Sequence, residues 1–558
     1  MANKTKNAFS RPLGDFLDQS VADKAGILEL RFGPCAPIPI GPTFSWPLLP
    51  PVTGLQYDSR YIKTGNLFFA LKGLHADGHR FIPDAIKNGA LAVLHQDEPG
   101  EYLEGIVYIK AKDSRFAMSP VAAAFYDYPS HRMGIIGVTG TEGKSTTVYL
   151  IYQLLKFFDS KLGFISTVQH GDGLTVKWNS KHQTTPEAPT IQRLLAEMYQ
   201  NGAKIAVIES SSHGLSKKTN RLGNVEFDVG VMTTVTHEHL EFHGTWEQYR
   251  SDKAELFRCL DSSGLKHNRS GNFAFSVFGV VNADDASADY FAASTERKVF
   301  TYSTKGAKAD LSLKGIKSRA DGNSYKVFVS SSGKTITLRD KLPGAFNAGN
   351  VLAALLVVSN VLFIDVEDLI PIVSYLKPVR GRMTAINRGQ PFEVLVDYAH
   401  TPSSFEIIFP PLQKRIKTHG GRLISIFGSA GERDTKKRKS QGEIAARYSD
   451  IIFLTDEDPR GEEPMAILED IAKGCEATSG CEATSGCTNM IRDETLFLIP
   501  NRPAAIRKAF SLARGGDLAL LLGKGHENSI IYASGTISYD EITEAEAALE
   551  EAGYHGKP

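Results

Sequence analysis

The sequence predicts an α/β fold built as three domains, and three observations carry that expectation. At 558 residues the chain exceeds what one hydrophobic core supports. Apolar runs of strand length alternate with helical stretches, the pattern of mostly parallel sheets covered by helices. One junction, Gly137-Val138-Thr139-Gly140-Thr141-Glu142-Gly143-Lys144-Ser145-Thr146-Thr147, sets a glycine-rich loop between an apolar run and a helix. In that helix Val148, Ile151, Leu155 and Phe158 recur on one face.

Taken in order, residues 1–45 read as an irregular leader, rich in proline towards its end. Residues 46–132 read as a small α/β domain, with strands at 66–71 and 91–94 around a helix at 81–88. Residues 133–378 form the central domain. Its strands fall at 133–138, 204–208 and 275–281, and a helix covers 246–260. Residues 379–558 form a Rossmann-like third domain, where strand 423–427, helix 436–448 and strand 451–455 make a βαβ unit.

Lys plus Arg and Asp plus Glu both number 63, so charge offers no case for nucleic acid or an acidic membrane. The longest apolar stretch, 351–364, is broken by Ser359 and Asn360 and is too short for a bilayer, so no membrane insertion is expected. The polar start and five cysteines of odd count lead us to expect reduced thiols and a cytoplasmic location. The six residues Cys475 to Gly480 repeat at once as Cys481 to Gly486. Cys475, Cys481 and Cys487 lack the close pair that zinc sites use, so a duplication within a surface loop is the better reading.

The glycine loop carries the chemistry. Its glycines let backbone N–H groups approach phosphate oxygens. The helix N-terminus adds partial positive charge, Lys144 adds a full one, and the Ser145 hydroxyl can bind Mg²⁺. Gly140, Thr141, Glu142, Gly143 and Thr146 complete the loop, and ATP is the expected ligand. Val138 stands where the common phosphate loop has its first glycine.

This variant of the loop resembles the Mur ligases and the folylpolyglutamate synthetases, ATP-dependent enzymes that join a carboxylate to an amine. Further motifs extend the resemblance over nearly the whole chain: Gln183-Thr184-Thr185-Pro186, Glu209-Ser210-Ser211-Ser212-His213-Gly214-Leu215, and His237-Glu238-His239-Leu240-Glu241-Phe242-His243-Gly244. Asp397-Tyr398-Ala399-His400-Thr401-Pro402 and Gly523-Lys524-Gly525-His526-Glu527 point the same way. Together they are similar to the Mur ligase branch that adds the third residue of the peptidoglycan stem peptide. Asp58-Ser59-Arg60, with the run from Leu67 to Gly73, resembles that family's uridine-binding domain.

The resemblance implies an amide-bond ligase acting on UDP-N-acetylmuramoyl-L-alanyl-D-glutamate and a free amino acid, as a monomer in the cytoplasm. Residues 46–132 then bind the UDP-sugar, 133–378 bind ATP and 379–558 bind the amino acid. A carboxylate is a poor acceptor for an amine, and ATP overcomes this by forming an acyl phosphate. The site therefore needs cations and little water. Lys144, Lys253 and His239 are the expected catalytic residues. Ser145, Glu209, His239 and Lys253 are expected to hold Mg²⁺, with Lys253, in a Tyr249-x-x-x-Lys253 setting, carbamylated by CO₂. Asn282, Asp285 and Asn350 are candidates on the nucleotide side. Asn350 opens a helix, where capping is the alternative.

The same resemblance assigns the substrates. Ser59 and the Leu74-His75-Ala76 turn face uridine and its phosphates. Gln183, Thr184, Thr185, Ser211 and Arg221 face the muramoyl dipeptide. Arg433, Glu457, Asp458, Arg460, Gly523 and Glu527 face the incoming amino acid. Relatives that add meso-diaminopimelate carry Asn where Asp458 stands. The extra negative charge favours lysine or ornithine, whereas Arg460 leaves meso-diaminopimelate open. Two residues depart from the family pattern: Glu142 replaces Asn, and Glu238 replaces Asp. Two other readings compete: a folate polyglutamylating ligase, and a non-catalytic ATP-binding scaffold motivated by Glu142 and the cysteine repeat.

Overall fold

A computed structural model describes residues 9–40, 44, 47, 49–73, 76–179, 183–236, 240–264, 266–268, 271–273, 275–319, 322–478 and 489–556. Three large sheets organise it. The N-terminal sheet runs Ile38–Pro39, Ile27–Phe32, Val107–Ala111, Ala90–His95, Asn66–Phe69, Gly54–Gln56, with its last four strands parallel. The stretch read as an irregular leader contributes to this sheet, which corrects the expectation for 1–45. Asp18 caps helix Gln19–Ala25, and Leu13, Phe16, Leu17, Val21 and Leu30 lie buried in the domain core. That helix spans only seven residues, so its periodicity is too brief to read.

The central sheet has eleven strands. Five parallel strands form its heart: Leu162–Ile165, Ile205–Glu209, Gly134–Thr139, Val229–Met232 and Phe278–Asn282. Strand Gly134–Thr139 is buried at every position, as a strand covered on both faces must be. On one face helix Asn347–Leu362 packs against helix Lys144–Lys156. The other face is covered by helices Ala188–Gln200 and Trp246–Arg258. Phe158, expected on the apolar face after the glycine loop, lies beyond the helix end and is exposed. Among the described residues no single helix is long and apolar enough to cross a membrane.

In open parallel sheets ligands gather beyond the carboxyl ends of the strands. Here those ends are Thr139, Glu209, Met232 and Asn282, on four neighbouring strands. They deliver the glycine loop, a carboxylate, the segment 233–236 and an amide to one edge.

The third domain repeats this design with six strands, Thr384–Ile386, Glu393–Val396, Leu518–Leu521, Leu423–Phe427, Ile451–Leu454 and Leu496–Leu498, of which only the first is antiparallel. Helix Lys436–Tyr448 matches its sequence reading end to end. Cys475 lies buried on helix Pro464–Ala477, where burial pushes its thiol up to about 12. The first repeat copy thus begins inside a helix instead of a surface loop, while Cys481 and Cys487 fall outside the described residues.

One buried ion pair ties together the segments that follow strands Ile451–Leu454 and Leu518–Leu521. Arg502 Nη2 lies 2.7 Å from Glu541 Oε1, and both side chains are fully enclosed. The same guanidinium donates to the carbonyls of Asp456 at 3.1 Å and Leu522 at 2.7 Å. Removing one member leaves an uncompensated buried charge. Arg502→Ala should therefore destabilise the domain by about 3–5 kcal/mol, while Arg502→Met with Glu541→Leu should recover most of it. Denaturant unfolding of the variants checks both outcomes.

Candidate active site

The glycine loop leaves its strand at Gly140, with φ of 149°, and enters the helix at Gly143, with φ of 84°. A Cβ on Gly140 would sit 2.0 Å from Thr233 Oγ1, and one on Gly143 would sit 2.5 Å from Asn350 Oδ1. No side chain fits at either place. Thr141 anchors the loop from inside: its Oγ1 accepts from Thr236 N at 2.9 Å and lies 2.9 Å from the Tyr249 hydroxyl. Lys144 folds back and donates to Thr141 O at 2.7 Å. The first N–H groups of the helix remain available to an anion.

Glu209 ends the neighbouring strand, buried to 1 % exposure. Ser145 Oγ donates to its Oε1 at 2.9 Å, and Thr167 N donates to its Oε2 at 2.7 Å. Lys253, 2 % exposed, reaches across from helix Trp246–Arg258 and donates to Gly140 O at 2.6 Å. Lys144, Ser145, Glu209 and Lys253 share the wall of one cavity of about 270 Å³. A hydroxyl and a carboxylate side by side are the hard oxygen donors that Mg²⁺ prefers, so these residues fit that ion. His239 lies outside the described residues.

Gln183, Thr184, Thr185, Ser211 and Arg221 line the same cavity. Thr185 Oγ1 lies 2.8 Å from Ser211 Oγ, and Arg221 donates to Thr185 O at 3.0 Å. Turned so that its carbonyl faces the guanidinium, the Gln183 amide accepts from Arg221 at 3.0 Å. Arg221 also pairs with Glu187 at 2.9 Å, and Arg115 of the N-terminal domain approaches the same carboxylate at 3.4 Å. Ser59 is not among these wall residues. It opens a short turn capped by Asp58, and its carbonyl accepts from Asn88 Nδ2 at 3.0 Å. The Ala76 carbonyl accepts from Gly73 N at 2.9 Å. Leu74 and His75 lie outside the described residues.

A second cavity, about 570 Å³, opens on the other side of the loop. Glu142, Gly143, Thr146, Asn282, Asp285 and Asn350 line it, together with Val379 and Arg382 of the third domain. Asn350 is not a cap, because the helix begins at Asn347; its Oδ1 accepts from Thr147 Oγ1 at 3.2 Å. Asp285 braces the segment 233–236 by accepting from Val235 N at 2.7 Å.

At the third domain the structure gives Asp458 a partner that charge counting did not include. Asp458 is not a spare negative charge. Lys524, fully buried, donates to Asp458 Oδ1 at 2.9 Å and to Glu527 Oε2 at 2.6 Å. Burial opposes the Lys524 charge, but the carboxylates of Glu527 and Asp458 outweigh it and hold its pKa above the usual lysine range. Asp458 pairs with Lys524, 66 residues away, and not with Arg460. Glu457 is left with a buried oxygen lacking a partner, and burial raises its pKa. That oxygen would lie 3.1 Å from a Cβ on Gly523. Burial likewise pushes Asp456 up to about 6, against a hydrogen bond from the Tyr532 hydroxyl. Arg460 adopts φ of 56°, and its N–H donates to Ile531 O at 2.8 Å. Arg433 lies exposed just after Gly431, whose N–H donates to the Asp458 carbonyl at 2.8 Å.

Sequence reasoning missed several wall residues. Arg382, Tyr398 and His400 carry the third domain into the 270 Å³ cavity, with the Arg382 guanidinium 4.7 Å from the Tyr398 ring centre. The Asp397 to Pro402 motif pointed at Tyr398 and His400 without a role. His243 and Asp252 were also passed over. His243 Nδ1 lies 2.7 Å from Asp252 Oδ2, and His243 Nε2 lies 3.1 Å from Ser212 Oγ. Burial works against the Asp252 charge, but hydrogen bonds from His243, Gln248 and Ser216 prevail and hold its carboxyl below the usual range.

Comparisons with known proteins identify the family. Residues 51–126 match the model described as Mur ligase family, catalytic domain; 138–358 match the Mur ligase middle domain; and 381–525 match the Mur ligase glutamate ligase domain. The UDP-N-acetylmuramyl-tripeptide synthetase of Treponema denticola is 47 % identical over 89 % of this chain and 94 % of its own. The UDP-N-acetylmuramoyl-L-alanyl-D-glutamate–2,6-diaminopimelate ligase of Geobacillus thermodenitrificans is 34 % identical over 90 % of this chain and 96 % of its own. A solved structure of a ligase with that latter name superposes with a TM-score of 0.57 at 28 % identity, covering 92 % of this chain and 98 % of the other.

The close approach at the loop generates a direct test. Gly143→Ala places a methyl group against Asn350 at a backbone angle that alanine resists. Nucleotide affinity, measured by calorimetric titration with ADP, should fall about tenfold or more, equivalent to about 1.4 kcal/mol.

Proposed function

As the chain belongs to the Mur ligase family, whose enzymes are ATP-dependent ligases of peptidoglycan synthesis, we propose that it adds a diamino acid to the D-glutamate of UDP-N-acetylmuramoyl-L-alanyl-D-glutamate in the cytoplasm. The observation that carries this reading is the 270 Å³ cavity. It joins the glycine loop, Glu209, Lys253, the Gln183–Arg221 wall and a lip of the third domain in one space.

Lys144 and the helix N-terminus hold the phosphate chain, with the larger cavity taking the nucleoside. Ser145 and Glu209 would hold Mg²⁺, with His239 and a carbamate on Lys253 as further ligands, and the ion would offset charge that builds on the phosphates. Arg221, Thr185 and Ser211 orient the peptide so that its D-glutamyl carboxylate faces the phosphate. That carboxylate takes the terminal phosphoryl group, releasing ADP. The amine then displaces phosphate from the acyl phosphate, losing a proton as the amide forms. Arg382 and Tyr398 bring the third domain, and with it the amine, to the open side of the cavity and exclude water.

The acceptor subsite remains net acidic. Three carboxylates, Glu457, Asp458 and Glu527, surround Lys524, with Lys437 also acting on Glu457, which keeps an unpartnered oxygen. This supports a side chain ending in an ammonium, lysine or ornithine. Arg460 favours a second reading, meso-diaminopimelate, whose extra carboxylate an arginine would grip.

Offering the purified protein ATP, the UDP-muramoyl dipeptide and equal amounts of lysine, ornithine and meso-diaminopimelate decides the matter by product mass. A lysine or ornithine tripeptide is expected; a diaminopimelate product alone would overturn the charge argument. Turnover with a folate in place of the dipeptide would overturn the substrate assignment. Lys253→Ala should lower ligation by about 100-fold, with partial recovery when chloride or another small anion supplies the missing charge. Ligation by that variant at the full rate would refute the Lys253 assignment.

A further inference from the structure

Ser212, His243 and Asp252 form a hydrogen-bonded chain that no step above uses. Asp252 immediately precedes Lys253 on helix Trp246–Arg258. Ser212 immediately follows Ser211, just past the strand that ends at Glu209. His243 joins the two, at 2.7 Å to Asp252 and 3.1 Å to Ser212, and its side chain is fully enclosed. Its ring meets those of His213 and Tyr249 edge-on, with centres 5.3 and 5.1 Å away. Asp252 is further held by Gln248 of its own helix at 2.9 Å.

The Asp252 carboxylate only accepts, so His243 donates to it from Nδ1. In the tautomer with its proton on Nδ1, the ring offers Nε2 as an acceptor. The Ser212 hydroxyl therefore donates to His243. Ser212 also lines the 270 Å³ cavity. With its proton committed, its oxygen presents lone pairs alone to whatever enters.

We propose that His243 is a positioning residue for the ligation reaction. Through Asp252 and Ser212 it fixes the distance between the Lys253 helix and the Glu209–Ser211 strand end. It also makes Ser212 an acceptor-only contact, suited to an amide N–H of the peptide acid and unsuited to its carboxylate. The inference rests on the ligase reading given above. It assigns no chemistry to His243 itself, which touches no reacting atom.

A double-mutant cycle tests it, read as kcat for tripeptide formation and KM for ATP. Ser212→Ala should lower kcat about tenfold and His243→Ala about 100-fold, since small misplacements of reacting groups cost this much. KM for ATP should stay within about twofold, because the nucleotide subsites are untouched. The double variant should be no slower than His243→Ala. His243→Gln, whose side-chain carbonyl reaches the Nε2 position and accepts from Ser212, should regain part of the loss. Losses that multiply independently would overturn the proposal, as would a rise in KM for ATP matching the fall in kcat. Should His243→Ala melt early, Ser212→Ala and His243→Gln carry the test, and wild-type kcat in Ser212→Ala overturns it. The wild-type control separates the two levels. No tripeptide from wild type defeats the ligase reading itself, whereas wild-type turnover with independent losses defeats only the role of His243.

Discussion

The bond from Lys253 Nζ to the Gly140 carbonyl, 2.6 Å long, is the contact on which the site depends. It ties the helix that carries Lys253 to the turn that carries the phosphate-binding amides. Gly140 can accept this bond only because its own Cβ is missing; a methyl group there would strike Thr233. The loop thus lies against segment 233–236, Tyr249 and Lys253 at once. Ser145, one residue into the helix, is thereby brought to Glu209. A cation, a carboxylate, a hydroxyl and a helix N-terminus converge because four parallel strands end at one level.

The acceptor subsite is built on the opposite principle. Its groups are charged and buried, and most of them are paired with one another. Lys524 binds two carboxylates, and Arg502 ties the carbonyls of Asp456 and Leu522 to Glu541. Such networks hold their geometry closely because each member is costly to strand. If the proposed acceptor reading holds, a subsite that tells one diamino acid from another benefits from that stiffness. The phosphate side instead uses backbone amides and glycines, which recognise any phosphate chain.

How much of this the sequence disclosed follows from the range of each interaction. The glycine loop was legible because its requirement is local: glycines where the backbone turns sharply, then Lys144 and Ser145 in the first helical turn. Helix Lys436–Tyr448 was legible because thirteen residues carry a full pattern. Helix Gln19–Ala25 was not, since its burial is decided by strands far along the chain. The partner of Asp458 was missed because Lys524 lies 66 residues away, and charge counting within a motif cannot see it. The His243–Asp252 pair spans nine residues across the turn at Gly244, outside any helical spacing, so no periodicity exposes it.

The central claim is that the D-glutamyl carboxylate meets the terminal phosphate within the cavity bounded by Lys144, Glu209 and Lys253. Heavy oxygen in that carboxylate tests it most directly. The account predicts that ligation transfers one labelled atom from the dipeptide to the inorganic phosphate released, in step with tripeptide formation. Unlabelled phosphate, formed at the same rate as the tripeptide, would contradict it.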